Sequence, residues 1–265
     1  MKTRILSALI MLPLMIVVYL GGYFLMGFCL IVGLIGLVEF YNAFEKIGLK
    51  GSKVFGIFGL LALYIINLVT LYYMGDSSQE GMLLWFFLVV IGSLLYLFVE
   101  FENRKPEEAF LTGFALLYVG YFSFHIILID QTPYSILIWL VVLTAFGTDI
   151  FAYFTGYLFG KHKLCPAISP KKTIEGAIGG VFGSVILSFA FIMIIQPDLL
   201  FHAIVIGVLG SIISQFGDLT ASIIKRKIGI KDYGNLIPGH GGVLDRFDSV
   251  LFTAPFVYYY IIWII

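Results

Sequence analysis

Charge is what this 265-residue sequence has least of: Asp, Glu, Lys and Arg together make up 12% of it. An average soluble domain carries about 25%. Apolar residues make up 60% and the mean hydropathy is +1.03. Such a chain lacks the polar surface to cover itself in water, which excludes a soluble fold. Cysteine is scarce as well. Cys29 and Cys165 are far apart and match no metal or redox spacing, so no disulfide framework is implied. Cys29 lies in an apolar run and reads as a small packing residue. The apolar runs are continuous and do not alternate, which removes the closed barrel and leaves the helix as the spanning structure. The sequence has no internal repeat, no low-complexity linker and no Walker A motif, so a P-loop ATPase is not supported. Net charge is zero. The total therefore points to no partner class, nucleic acid included; the distribution says more.

What is present is hydrophobic length. A span needs about 20 apolar residues, and the sequence predicts about nine of them. They fall at 5–22, 24–44, 54–74, 82–100, 109–129, 134–157, 175–195, 199–223 and 248–264. The fold class is all-α, a polytopic integral membrane protein. Lys2 and Arg4 before the first apolar run resemble a signal peptide. No small-residue cleavage site follows, and further spans come directly after, so the segment reads as a retained first helix. With nine helices all sixteen Lys and Arg residues fall on one side. The opposite loops hold Asp76, Glu80, Asp130 and Asp198 and no Lys or Arg. By the positive-inside rule the N-terminus and the basic loops are expected to be cytoplasmic, in a cell (inner) membrane.

The chain changes character near residue 134. Residues 1–133 read as scaffold helices with few intramembrane polar groups. Residues 134–265 read as a catalytic half with two long cytoplasmic loops, 160–173 and 225–246. Asp149 sits inside the sixth predicted span, and an ionisable group in a span is a functional candidate by default. The eighth span carries a polar stripe of Ser211, Ser214, Asp218, Ser222 and Lys225, whose offsets keep them on one face. In the seventh, Gly176, Gly180, Ser184 and Ser188 recur every four residues, a small-residue packing face. Before it stands Ser169-Pro-Lys171-Lys172-Thr173. Thr173 is a candidate N-cap, and two lysines beside a helix N-terminus favour an anion.

The segment Ser222 to Ser249 is the most informative. Pro238, Gly239, Gly241 and Gly242 around His240 allow sharp turns and close approach to a ligand. Lys225, Arg226, Lys231 and Arg246 can hold phosphate oxygens. Asp245 and Asp248 are three apart at the start of the last helix and share a face. Paired carboxylates beside a phosphate-binding cluster suggest Mg²⁺, a hard cation that reverses their repulsion of a polyphosphate. The residues alone allow a phosphotransfer or nucleotidyl-transfer enzyme with a lipid acceptor.

This segment also resembles the signature of the CDP-diacylglycerol synthases, the phosphatidate cytidylyltransferases. The matching residues are Ser222, Lys225-Arg226, Lys231-Asp232, Gly234, Ile237-Pro238, His240-Gly241-Gly242, Asp245-Arg246 and Asp248. Upstream, Thr148-Asp149, Gly156, Phe159-Gly160-Lys161 and Ile168 to Gly176 are similar to the family too. The resemblance implies that CTP and phosphatidate give CDP-diacylglycerol and pyrophosphate in phospholipid biosynthesis. It implies Mg²⁺, with a second cation left open, and a homodimer. Asp218, Asp245 and Asp248 become metal-ligand candidates, joined by Asp149. Ser169, Lys171, Lys172, Thr173, Lys225, Arg226, Lys231 and Arg246 become candidates for the CTP phosphates and the phosphatidate head. His240, Gly241 and Gly242 become nucleotide contacts. Two alternatives carry different chemistry: a CTP-dependent lipid kinase with Asp149 or His240 as base, and a transporter with Asp149 and Asp218 along an ion path.

Overall fold

The computed structural model describes residues 14–75, 79–99, 101–237 and 241–265. Among them, eight helices are long and apolar enough to cross a membrane, so the chain is an all-α polytopic membrane protein. They match the second to ninth predicted spans. Most of the first predicted span lies outside the described residues, as do Lys2, Arg4 and His240; residues 14–20 are helical. The described chain divides into two compact units, one made of the residues up to Gln131 with Asp232–Arg246, the other of Thr132–Lys231 with Phe247–Ile265.

The first unit contains α1 (Gly22–Glu45), α2 (Lys53–Met74), α3 (Gln79–Leu95) and a span made of α4 (Pro106–Ala115), a π-helical stretch (Leu116–Tyr121) and α5 (Phe122–Asp130). Local chemistry sets the ends. The Ser52 hydroxyl accepts the Phe55 N–H at the start of α2, and Gly75 closes it in the left-handed conformation at φ 72°. Pro106 opens α4, where a missing N–H costs nothing. Buried Glu108 fastens this end: it accepts the Lys50 N–H at 3.0 Å, while Thr112 Oγ1 accepts the Ser52 N–H at 2.9 Å. At the other end Asp130 accepts the Gly22 N–H at 2.7 Å, and the Asn67 and Gln131 amides exchange two hydrogen bonds. These helix ends thus find partners for backbone groups that the helix itself leaves over.

The second unit contains α6 (Ile138–Phe159), β1 (Lys163–Cys165), β2 (Ser169–Thr173), α7 (Ile174–Ile195), α8 (Leu200–Lys227) and most of α9 (Leu244–Ile264). Its helices pack through small residues. A Cβ on Gly176 would meet the Ala152 carbonyl at 2.7 Å, and one on Gly180 would meet Thr148 at 3.0 Å. Ser184 donates to the Gly207 carbonyl at 3.1 Å. The recurring small residues of α7 therefore let backbones approach closely, which is how helices associate where lipid gives no hydrophobic drive. Large apolar residues such as Ile178, Phe182 and Ile186 lie exposed on α7, the pattern of a lipid-facing surface.

Candidate active site

The loop 160–173 is not irregular. Its two strands pair antiparallel, with Lys163 opposite Thr173 and Cys165 opposite Ser169. The hairpin is clasped at its base by Glu175, which accepts the Lys161 and His162 N–H groups at 3.1 and 3.2 Å and meets His162 Nδ1 at 2.6 Å. Strand β2 runs directly into α7, and the Thr173 hydroxyl caps that helix by accepting the Gly176 N–H at 3.1 Å. Lys171 is exposed, whereas Lys172 is half-buried and reaches inward to Asp218.

Lys172 is the electrostatic centre of the second unit. Its ammonium donates to Asp218, in the middle of the α8 stripe. Burial holds the Lys172 amine below the ordinary lysine range; the carboxylates of Asp149 and Asp248 pull it back, and nearby Lys225 adds to the depression. Buried Asp248 also accepts the Ser249 N–H at 2.8 Å. The rest of the stripe points inward. Ser211 accepts from Thr148 at 2.8 Å, and Ser214 Oγ is buried with no hydrogen-bond partner among the described residues.

Beside Lys172 lies a cavity of about 550 Å³. Lys163, Ser169, Lys171, Lys172 and Thr173 line it from the hairpin, Asp149, Tyr153 and Tyr157 from α6, and Gln215 from α8. Tyr153 and Tyr157 are exposed. One wall is therefore cationic and another aromatic, and the volume suits one small organic ligand. Arg226 and Lys231 do not line it. The exposed Arg226 side chain donates instead to the Ile168 and Ile230 carbonyls at 3.4 and 3.1 Å.

The segment 232–246 belongs to the first unit. Asp245 Oδ2 accepts the Tyr233 N–H at 2.8 Å and the Gly242 N–H at 2.9 Å. Gly241 takes φ 84°, a conformation that favours glycine, and the Ile237 N–H bonds the Gly241 carbonyl. Arg246 Nε is buried without a hydrogen-bond partner among the described residues. A residue that sequence reasoning missed stands behind this segment. Glu39, on α1, accepts the Val243 and Leu244 N–H groups at 3.0 and 2.9 Å. The signal was available, since Glu39 is an ionisable residue inside an apolar run, as Asp149 is.

Among the described residues no group of three or more His, Cys, Asp and Glu side chains forms a ready metal cage. The acids nearest Lys172 are oxygen donors, the ligand type that a hard cation takes. Asp218, Asp149 and Asp248 offer carboxylate oxygen, and the lysine ammonium already holds positive charge on Asp218.

Comparison with known proteins gives a consistent result. The cytidylyltransferase family model matches residues 2–264. A phosphatidate cytidylyltransferase of Staphylococcus haemolyticus is 36% identical over 262 residues, covering 96% of this chain and 96% of that protein. One of Bacillus subtilis is 33% identical, covering 97% of this chain and 94% of that protein. One of Staphylococcus aureus is 35% identical, covering 96% of each.

Proposed function

The chain belongs to the cytidylyltransferase family, and on that premise we propose that it condenses CTP with phosphatidate to give CDP-diacylglycerol and pyrophosphate at the cytoplasmic membrane surface. The observation that carries this reading is the cavity beside the Lys172–Asp218 pair, with its cationic hairpin wall and its exposed tyrosines. It offers what an anionic head on an apolar molecule needs. The cytoplasmic placement rests on the one-sided basic loops.

A phosphatidate oxygen attacks the α-phosphorus of CTP. The new oxygen–phosphorus bond forms as the bond to the β-phosphate oxygen breaks, and pyrophosphate leaves. The nucleophile is already anionic near neutral pH, so no strong general base is required. The obstacle is bringing two anions together. Lys171 and Lys172 supply positive charge from adjacent positions of one strand, and Asp218 fixes where the Lys172 amine points. Lys225, whose charge acts on the Lys172 amine, adds positive charge on that side, and Lys231, Arg246 and the glycine-rich turn at Gly241 remain candidates from the signature. Asp149, Asp218 and Asp248 are candidate holders of Mg²⁺, which when bound would neutralise the polyphosphate; Asp245 is a separate candidate that the signature supplies.

The test is turnover of the purified full-length protein in detergent with phosphatidate and CTP labelled at either the α- or the γ-phosphate. Entry of the α-label into the lipid with release of pyrophosphate is expected. Entry of γ-label alone would make it a lipid kinase, and neither label entering would remove the reading.

A further inference from the structure

We propose that Glu39 is a positioning residue for the reaction: a carboxylate from the second predicted span that sets the geometry of the glycine-rich segment carrying Asp245. The inference rests on the reading that the chain is a phosphatidate cytidylyltransferase in which Asp245 takes part.

The argument begins with hydrogen-bond supply. The first N–H groups of any helix have no partner within it. At the start of α9 the Val243 and Leu244 N–H groups meet the two oxygens of Glu39, one each, at 3.0 and 2.9 Å. The preceding N–H, that of Gly242, goes to Asp245 Oδ2 at 2.9 Å. Three successive N–H groups are thus divided between two carboxylates. Asp245 is oriented by Gly242, and the residues that follow Gly242 are held by Glu39. Charge-assisted bonds of this kind are roughly twice as strong as neutral ones, and a helix N-terminus favours an anion.

Steric evidence points the same way. Glu39 is 8% exposed and lies more than 200 positions before its partners. Its carboxylate fills the space where side chains would stand on Gly234 and Gly242. Neither glycine has positive φ among the described residues. Their requirement is room, and the room is taken by Glu39. Two glycines of the signature segment are thereby explained by a residue outside it.

The test uses the full-length enzyme in detergent, with kcat and both KM values measured per folded protein and thermal unfolding recorded in parallel. Glu39→Gln keeps the shape but turns an amide donor toward a backbone donor. It is expected to lower kcat about tenfold or more while KM for CTP moves less than about threefold. Glu39→Asp keeps the charge and should recover part of the loss. Gly234→Ala leaves Glu39 in place but displaces its carboxylate, so it should lower kcat in the same way, and it serves where Glu39→Gln fails to fold. Wild-type kcat in folded Glu39→Gln or Gly234→Ala overturns the proposal. So does a loss that only tracks the folded fraction. Asp245→Asn separates the underlying reading: if it keeps full turnover, the role of Asp245 fails and this inference falls with it. If Asp245→Asn is inactive while Glu39→Gln is normal, only the role of Glu39 falls.

Discussion

The two units differ in what their carboxylates meet. Among the described residues of the first unit the buried carboxylates are Glu39, Glu108 and Asp245, and all three accept backbone N–H groups. These donors are main-chain groups of turns and of a helix start, so the acids act as fasteners. In the second unit Glu175 and Asp248 also accept backbone N–H groups, but Asp218 meets a lysine amine and Asp149 lines an open cavity. A lysine on a four-carbon stem can move, so such an acid can exchange its partner for another cation. Glu39 and Glu108 thus hold the chain, Asp245 does so while remaining the signature's candidate for a ligand, and Asp149 and Asp218 stand beside an open cavity.

The sharpest way to break this comparison is metal removal. If the acids of the second unit exchange Lys172 for Mg²⁺, excess chelator should abolish turnover and added Mg²⁺ restore it. Full activity in chelator would leave Asp218 as a partner of lysine alone. Next in size is Asp218→Asn, expected to lower kcat by about 10²–10³ with thermal unfolding in detergent little changed, as for loss of one preorganised charge contact. Near-normal kcat would make this acid a fastener too. Lys172→Met, which keeps the stem and removes the charge, should cost about 10²-fold in kcat, and Lys171→Met on the exposed face of the same strand about tenfold or less. Equal losses would show that burial against Asp218 does not distinguish the two lysines. Glu108→Ala belongs on the other side of the comparison. It should destabilise by about 1–3 kcal/mol, chiefly through the orphaned Lys50 N–H and the weaker Lys105 N–H contact, while leaving kcat per folded enzyme within about twofold.

Much of this was legible because membrane helices advertise themselves. The predicted 175–195 and the observed Ile174–Ile195 differ by one residue, since Thr173 is both a good cap and the last polar residue before an apolar run. The polar face of α8 followed from helical spacing. What the sequence did not disclose was tertiary. Nothing local links Glu39 to Leu244, and Asp218 could be seen without its partner Lys172. The hairpin within 160–173 escaped because its strands are three and five residues long and one contains Pro170, too short and too interrupted for alternation to register. Asp149 and Glu39 satisfied the same rule, yet only the one surrounded by Thr residues drew notice.

Arg226 is where motif and geometry diverge most. The resemblance makes it a phosphate contact, and its guanidinium has the planar fork that phosphate recognition uses. In the structure that fork donates to the Ile168 and Ile230 carbonyls, tying the end of α8 to the turn of the hairpin. The Arg226 side chain is exposed, so water can replace either bond at small cost. Arg226→Ala is therefore expected to change kcat and KM for CTP by less than about threefold, with a stability loss below about 1 kcal/mol. Arg226→Lys should look the same, because a single carbonyl contact does not require a fork. A rise of tenfold or more in KM for CTP, unrelieved by lysine, would mean that the guanidinium leaves those carbonyls for a phosphate in the loaded enzyme. That result would move Arg226 from the residues that hold the chain to those that meet the ligand.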